Sequence, residues 1–164
     1  MKTTTTFLAA VTAGLALSVA FPAWPAGGEP AEATATGSAR GSSDPDYQAG
    51  VAAWKAKAWP EVITRMNAAV QREPNNADAW NLLGHAYRNT GDLDNSFKAY
   101  GRALEIDPKH RAAHEYVGEA YLQAGNLPKA EEHLKTLDRL CRLPCEEYTD
   151  LKKKVAAYRR DHPN

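Results

Sequence analysis

The fold of this 164-residue chain is indicated most clearly by the stretch Trp80-Asn-Leu-Leu-Gly-His-Ala-Tyr87, which is followed by Asn89-Thr-Gly-Asp92 and then by Pro108. Trp80, Leu83 and Tyr87 recur at helical spacing and predict one packed helix face. Gly84 lies in that face and lets a second helix approach closely. The Asn89–Asp92 segment predicts a turn, and Pro108 predicts the end of a second helix. The stretch therefore predicts two helices joined by a turn.

The same features recur 34 positions away on both sides of this stretch. The recurring sets are Gly50, Gly84 and Gly118; Trp59, Leu93 and Leu127; Ala69 and Ala103; Pro74 and Pro108; and Tyr87 and Tyr121. Several independent sets with one period indicate a repeated structural unit. We divide the chain into three copies, residues 43–76, 77–110 and 111–144.

The middle copy resembles the tetratricopeptide repeat, whose pattern is Trp-x2-Leu-Gly-x2-Tyr followed by Ala, Phe, Ala and Pro. Ser96 and Tyr100 stand where that pattern has Ala and Phe, and the remaining positions match. The outer copies match less well, with Asp46 and His114 in the Trp position, as is expected of terminal repeats. The resemblance implies an all-α fold, a right-handed superhelical stack of three helix-turn-helix units.

Residues 145–164 predict a capping helix and tail. Tyr148, Leu151, Val155 and Tyr158 lie at helical spacing, and such a helix covers the apolar face that an open stack leaves bare. The basic residues of this helix have two interpretations. They could attract an acidic membrane surface, or they form a solvated face, which the mixed charge of the helix favours.

The N-terminal residues have the pattern of a targeting segment. Lys2 is followed by a charge-free apolar run and then by small residues, which predicts a signal peptide over residues 1–23. The cleavage bond stays open between Ala20, Ala23 and Ala26, and a buried hydrophobic helix is the alternative. Residues 24–42 carry almost no large apolar side chains and predict a flexible linker. We expect an exported protein, periplasmic in a bacterium, with no stable membrane insertion after signal removal.

The resemblance also implies a binding groove, because the first helices of such repeats line the concave side of the stack. The side chains that it assigns to the groove are Tyr47, Val51 and Trp54 from the first copy, Asn81, His85 and Arg88 from the second, and Glu115, Glu119 and Leu122 from the third. Aromatic and arginine side chains often carry the binding energy of an interface. These residues predict a site for a protein or peptide. Packing of Trp54 under the linker or a neighbouring turn is the alternative for that residue.

Two cysteines lie four positions apart near the end of the third copy. In an exported protein Cys141 and Cys145 should oxidise to a disulfide, which would fix the junction between the last repeat and the capping helix. A redox-active pair is the alternative, although the spacing is not Cys-x-x-Cys. His110 and His114 could suggest a metal, but two nitrogen ligands without a third make a weak site. We predict no metal and no cofactor.

The composition narrows the class of function. The chain has 20 basic and 20 acidic side chains, which argues against a nucleic-acid partner. No spacing typical of a catalytic triad, phosphate loop or paired-acid site is present in the sequence. We therefore predict a non-enzymatic adaptor or scaffold. A periplasmic thiol-disulfide protein and a self-associating structural protein, in which a second copy fills the groove or the end of the stack, are the alternatives.

Overall fold

A computed structural model describes residues 42–163 and gives them seven helices and no strands. The helices are α1 (Pro45–Lys55), α2 (Trp59–Arg72), α3 (Ala77–Asn89), α4 (Leu93–Ile106), α5 (Arg111–Gln123), α6 (Leu127–Leu140) and α7 (Glu146–Asp161). The predicted signal peptide and all but the last residue of the predicted linker lie outside the described residues. That last residue, Ser42, is buried, and its hydroxyl accepts a hydrogen bond from the Asp44 backbone N–H.

The helix boundaries follow from the residues that cap them. Asn76, Asp92 and Asn126 each accept a hydrogen bond from the backbone N–H three residues later, which satisfies a free donor of the helix that follows. The turns inside the second and third helix pairs contain Gly91 and Gly125, with φ of +84° and +75°. Glycine adopts this left-handed conformation without steric cost. The 34-residue period therefore reflects repeated caps and turns as well as repeated packing.

Each repeat is a tightly packed antiparallel helix pair. A Cβ atom added to Gly84 would lie 2.7 Å from the ring of Tyr100, which is fully buried. The equivalent contact in the first pair is between Gly50 and Met66. Ser96 donates a hydrogen bond of 2.8 Å to the Gly84 carbonyl oxygen. The predicted close approach of the paired helices is therefore present, and the all-α prediction is confirmed.

The capping helix α7 packs against both α5 and α6. Leu151 and Val155 are buried with Ala130 and Leu137 of α6. Gly118 of α5 faces Leu151, because a Cβ atom at Gly118 would lie 2.6 Å from a methyl group of that leucine. The end of the last helix pair is thus covered by an apolar face, which is the capping role that the sequence predicts.

The stack curves with its first helices on the inside. Within residues 42–163, α1 contacts α3 and α3 contacts α5, whereas α2, α4 and α6 do not contact one another. The first helices are therefore closer together than the second helices, and they define the concave side. The same part of the chain contains no helix with the length and apolar character that a membrane span requires.

The third repeat fills its Trp position with a histidine that makes the same hydrogen bond. The Trp80 indole N–H donates to the Pro74 carbonyl oxygen at 3.0 Å, and His114 Nε2 lies 3.0 Å from the Pro108 carbonyl oxygen. Both residues reach the proline six positions upstream. His114 therefore has the structural role that its place in the Trp position of the repeat pattern predicts.

Candidate functional site

The concave side contains an open cleft of about 720 Å³ at the end formed by α3, α5 and α7. Its lining combines charged side chains with apolar ones. The charged members that matter here are Arg88, Glu119 and Lys154, and the apolar members include Leu122 and Tyr158. The cleft can therefore contact both the apolar and the charged parts of a ligand.

A three-membered ion-pair network forms the charged wall of this cleft. Arg88 Nη2 of α3 lies 2.8 Å from Glu119 Oε2 of α5, and Lys154 of α7 contacts the other carboxylate oxygen of Glu119. The side chains of Arg88 and Glu119 are largely buried, whereas half of the Lys154 side chain is exposed. The network connects three helices across the concave side. It also means that both cations are already partly neutralised by Glu119.

His85 is the centre of an aromatic group on the same side. Its ring centroid lies 5.8 Å from Trp54, 5.3 Å from Trp59 and 4.6 Å from Tyr116. The Trp54 indole N–H donates to His85 Nδ1 at 3.2 Å, so that nitrogen carries no proton. Burial, assisted by the charge of Arg88, lowers the pKa of His85 to about 4. His85 is therefore neutral at pH 7.

Trp54 is thus a packing residue as well as a candidate contact. It is half-buried against the core and is held by its hydrogen bond to His85. The structural partner of Trp54 is consequently the second repeat and not a neighbouring turn. The groove pattern does not assign Trp59 or Tyr116, and the 34-residue period marks Trp59 without indicating its contact with His85.

Four of the assigned groove residues are buried. They are Tyr47, Asn81, Glu115 and Glu119, with exposures of 7%, 4%, 8% and 7%. Tyr47 belongs to the core of the first two repeats, where it packs near Val51, which is half-buried. The prediction of an open apolar contact at Tyr47 is therefore corrected, because the neighbouring helices cover the ring.

Glu115 occupies the middle of the concave face of α5 and is 8% exposed. It has no hydrogen bond or ion pair among residues 42–163. Burial raises the pKa of Glu115 to about 7, and the nearby charge of Glu119 adds to this effect, whereas Lys154 opposes it. Among the described residues, Glu115 is thus a largely buried carboxyl group whose side chain has no charge partner.

A second, polar hollow of about 190 Å³ lies at the start of the same helices. It is lined by Asp78, Asp107, Lys109, His110, Arg111, Ala112 and Glu147. His110 caps α5 by accepting from the Ala113 N–H, and its other ring nitrogen lies 2.9 Å from Asp78 Oδ1. His114 instead contacts His133, with 2.9 Å between their Nδ1 atoms. The two histidines that could suggest a metal thus have separate structural contacts.

The capping helix contributes to the site in a way that the sequence analysis did not foresee. Lys154 and Tyr158 line the large cleft, and Ala157 lies between them. Arg159 pairs with Glu131 at 2.7 Å, and Lys152 lies over the Tyr148 ring. Lys154 and Arg159 are exposed, as the interpretation of a solvated face expects, and they also bind acidic groups of α5 and α6.

Cys141 and Cys145 lie close together between α6 and α7. Their Cα atoms are 5.8 Å apart, a separation that permits a disulfide bond. The pair lies at the junction of the last repeat and the capping helix, as predicted, and away from the residues that line the large cleft.

The fold and the cleft define a helical repeat protein with a concave surface. Sequence profiles of the tetratricopeptide repeat match residues 77–110 and 98–142. Residues 77–142 therefore contain tetratricopeptide repeats, and the predicted resemblance is confirmed for this part of the chain.

The curated relatives match part of this chain. Human Protein O-mannosyl-transferase TMTC3 is 31% identical over 74 residues, which cover 45% of this chain and 8% of that protein. Superkiller protein 3 of Saccharomyces cerevisiae is 28% identical over 108 residues, covering 66% of this chain and 7% of the relative. The chain thus spans less than a tenth of the length of these two relatives.

Solved structures with the same fold have about the size of this domain. The Yersinia enterocolitica type III secretion translocator chaperone SycD matches with a TM-score of 0.64 and 18% identity, covering 71% of this chain and 82% of that chain. The TPR2B domain of yeast Sti1, solved in a pHsp70 complex, matches with a TM-score of 0.66 and 13% identity, covering 71% and 95%. Identities this low establish the shared fold.

Proposed function

We propose that this protein is a non-enzymatic, exported adaptor that binds a protein segment or peptide in its concave cleft. The observation that carries the proposal is the cleft itself. It is open, has about 720 Å³ of space, and combines apolar Leu122 and Tyr158 with the Arg88–Glu119–Lys154 network. Peptide sites of this kind use apolar anchors for affinity and charged groups for orientation.

Structural neighbours support a peptide as the ligand. One solved structure holds SycD in complex with a peptide of the translocator YopD. Another holds PcrH with the chaperone-binding region of PopD, at a TM-score of 0.63 and 18% identity. Those ligands belong to those proteins, and what we transfer to this chain is the use of a helical repeat surface to hold a peptide segment.

Export is the second part of the proposal. It rests on the signal-peptide pattern of residues 1–23 and on the close pair Cys141 and Cys145. Two thiols at this separation form a stable disulfide in an oxidising compartment such as the bacterial periplasm. We propose that the disulfide forms there and holds the capping helix against the last repeat.

The binding test blocks the cleft without disturbing the core. Ala157 lines the cleft, whereas its neighbour Ala156 is exposed and lies outside it. Ala157→Arg places a long side chain in the cleft, and Ala156→Arg is the matched control on the same helix. Peptides are selected from a displayed library of random 16-residue sequences on the secreted protein, and their Kd values are measured by fluorescence anisotropy.

We expect Ala157→Arg to weaken binding of the selected peptides at least tenfold and Ala156→Arg to leave it within twofold. Equal binding by the parent and Ala157→Arg would place the peptides elsewhere and refute the assignment of the cleft. Export is tested by expressing the full chain in a Gram-negative bacterium and separating the periplasm from the cytoplasm. Retention of uncleaved protein in the cytoplasm would refute that part of the proposal.

A further inference from the structure

Along the concave face, one acidic group stands apart from the others in having no charge partner. Glu119 contacts both Arg88 and Lys154, whereas the Glu115 side chain makes no ion pair and no hydrogen bond with any of residues 42–163. Glu115 is nevertheless 8% exposed, hardly more than Glu119. A largely buried carboxylate without a charge partner is unfavourable, and a bound cation would supply that partner.

A second unpartnered acceptor lies beside Glu115. Asn81 is 4% exposed, and its Oδ1 atom has no hydrogen-bond partner. Asn81 is the fifth residue of α3 and Glu115 is the fifth residue of α5, so they occupy the same position in successive repeats. Buried polar atoms normally have a partner, and an unpartnered one calls for an explanation.

The contacts between α3 and α5 show that both acceptors face the concave side. His85 contacts Tyr116, and Arg88 pairs with Glu119, so this face of α3 meets this face of α5. Asn81 precedes His85 by four residues, and Glu115 precedes Glu119 by four, which places each acceptor one helical turn earlier on the same face. The two unpartnered acceptors therefore hold equivalent positions on neighbouring first helices.

The position of this pair also suits a peptide that lies along the groove. Asp78 and Ala112 line the polar hollow at one end, and Arg88, Glu119 and Leu122 line the large cleft at the other. Asn81 and Glu115 lie between these two openings along α3 and α5. A ligand that occupies both openings must pass over them.

The surrounding groups favour a cation over an anion. The charges that act on Glu115 come from Glu119 on its own helix and from Glu147, Asp150 and Lys154 on α7. Each of these acids has a cationic partner of its own, and none of those cations pairs with Glu115. The partners are Arg88 and Lys154 for Glu119, Arg111 for Glu147 and Lys153 for Asp150. The Tyr116 ring lies next to Glu115 in the chain and contacts His85. An aromatic face beside a carboxylate attracts an alkylammonium or guanidinium group.

We propose that Glu115 and Asn81 form a subsite that accepts one arginine or lysine side chain of a bound peptide. The subsite rests on the proposed function, because it names the chemistry of the peptide that the groove holds. The side-chain cation pairs with the Glu115 carboxylate and donates a hydrogen bond to Asn81 Oδ1. Tyr116 supplies an aromatic surface for the rest of that side chain.

The test uses two displayed libraries of random 16-residue peptides. One encodes all twenty amino acids, and its twin omits Lys, Arg and His. We expect binders from the complete library to share an Arg or Lys, and replacement of that residue by Gln to weaken binding about tenfold or more. In Glu115→Gln we expect the same loss, with no further loss when both changes are combined. The control Glu105→Gln removes an exposed acid of α4 and should leave Kd unchanged.

A second measurement separates recognition from a structural role. Because burial raises the pKa of Glu115 to about 7, binding of a cation should release a proton from it near pH 7. Calorimetry in two buffers of different ionisation enthalpy measures that release, which Glu115→Gln should abolish. At pH 8, Glu115→Gln should also raise Tm by a few degrees, because it removes an unpaired buried charge.

The outcomes distinguish this proposal from the proposed function. Equally tight binders from the cation-free library that Ala157→Arg still blocks would refute the subsite and leave the adaptor function standing. Unchanged affinity in Glu115→Gln would refute the subsite as well. If neither library yields a binder that Ala157→Arg blocks, both proposals fail.

Discussion

The second and third repeats correspond by a shift of 34 positions, yet they fill the same slot with different chemistry. Trp80 and His114 both hold the carbonyl oxygen of the proline six residues upstream. Trp80 does so with a nitrogen that does not titrate, whereas His114 contacts a second histidine, His133. A repeat can thus keep the geometry of this hydrogen bond while its stability becomes dependent on pH.

The two repeats also differ in what covers their glycine. Gly84 faces Tyr100 of its own helix pair, whereas Gly118 faces Leu151 of the capping helix. In the second repeat the glycine is therefore covered by a residue of the same repeat, whereas in the third repeat it is covered by α7. Stability should be more cooperative in the second repeat than at the third.

Substitution of the two glycines should give the largest effects. Gly84→Leu would force a side chain against the buried Tyr100 ring, and we expect it to lower the free energy of unfolding by about 3 kcal/mol or more. Gly118→Leu should cost about 1–2 kcal/mol, since α7 is terminal and can shift. Urea denaturation followed by circular dichroism measures both. Equal losses of unfolding free energy in the two variants would contradict this difference between the second and third repeats.

The ion-pair network offers a second contrast between inner and outer contacts. Arg88→Met leaves the buried Glu119 with one cation and should cost about 2 kcal/mol. Lys154→Met removes a half-exposed partner and should cost no more than about 1 kcal/mol. The same denaturation experiment compares the unfolding free energies of the two variants. A larger loss for Lys154→Met would show that the capping helix contributes more to holding Glu119 than α3 does.

The ends of the two repeats differ as well, because the second ends at Pro108 and the third at the cysteine pair. The double variant Cys141→Ser/Cys145→Ser should lower the free energy of unfolding of the oxidised protein by at most about 2 kcal/mol, since the closed loop is short. Its effect should be confined to α7, as measured by hydrogen exchange. Protection lost equally in α3 would argue against a role limited to the junction.

The smallest effect concerns pH. Burial lowers the pKa of His133 to about 4, so the unfolded chain binds a proton there at higher pH than the folded one does. The stability that neutral His133 contributes is present above about pH 6.5 and is lost as pH falls toward 4. His133→Phe should reduce the stability lost between pH 7 and 5 by about 1 kcal/mol.

Two other groups also make the stability of the folded state depend on pH, and they provide controls for this measurement. His85, with a pKa lowered to about 4, acts in the same direction as His133. Glu115 acts in the opposite direction, because its raised pKa makes the folded state bind the proton first as pH falls from about 7. Glu115→Gln should therefore steepen the loss of stability toward acid, and an unchanged slope in both variants would contradict these assignments.

The sequence predicts the fold well because each repeat carries its own caps, turns and packing residues. In the second repeat, Gly84, Tyr100 and Asp92 are local signals whose partners lie within the same 34 residues. The site is harder to predict, because its contacts join residues of different repeats. Trp54 meets His85, and Glu119 meets Lys154 of a helix outside the period. No spacing rule connects these pairs, so they emerge only from the packing of helices.

Burial explains the remaining difference between expectation and structure. The groove pattern assigns Tyr47 and Asn81 as contacts because of their position on the first helices. Position on a face does not fix exposure, since Tyr47 belongs to the core of the first two repeats and Asn81 is also buried. The end of the concave side formed with α7, in contrast, opens into a cleft of about 720 Å³.

The contact of Leu151 with Gly118 has a consequence for how this array could change in evolution. The equivalent places at Gly50 and Gly84 are already taken by Met66 and Tyr100 of their own repeats. A rearranged gene that placed the second repeat last would present Leu151 with an occupied site. The packing surfaces around the three glycines therefore fix the order of the three repeats, and the repeats are not interchangeable.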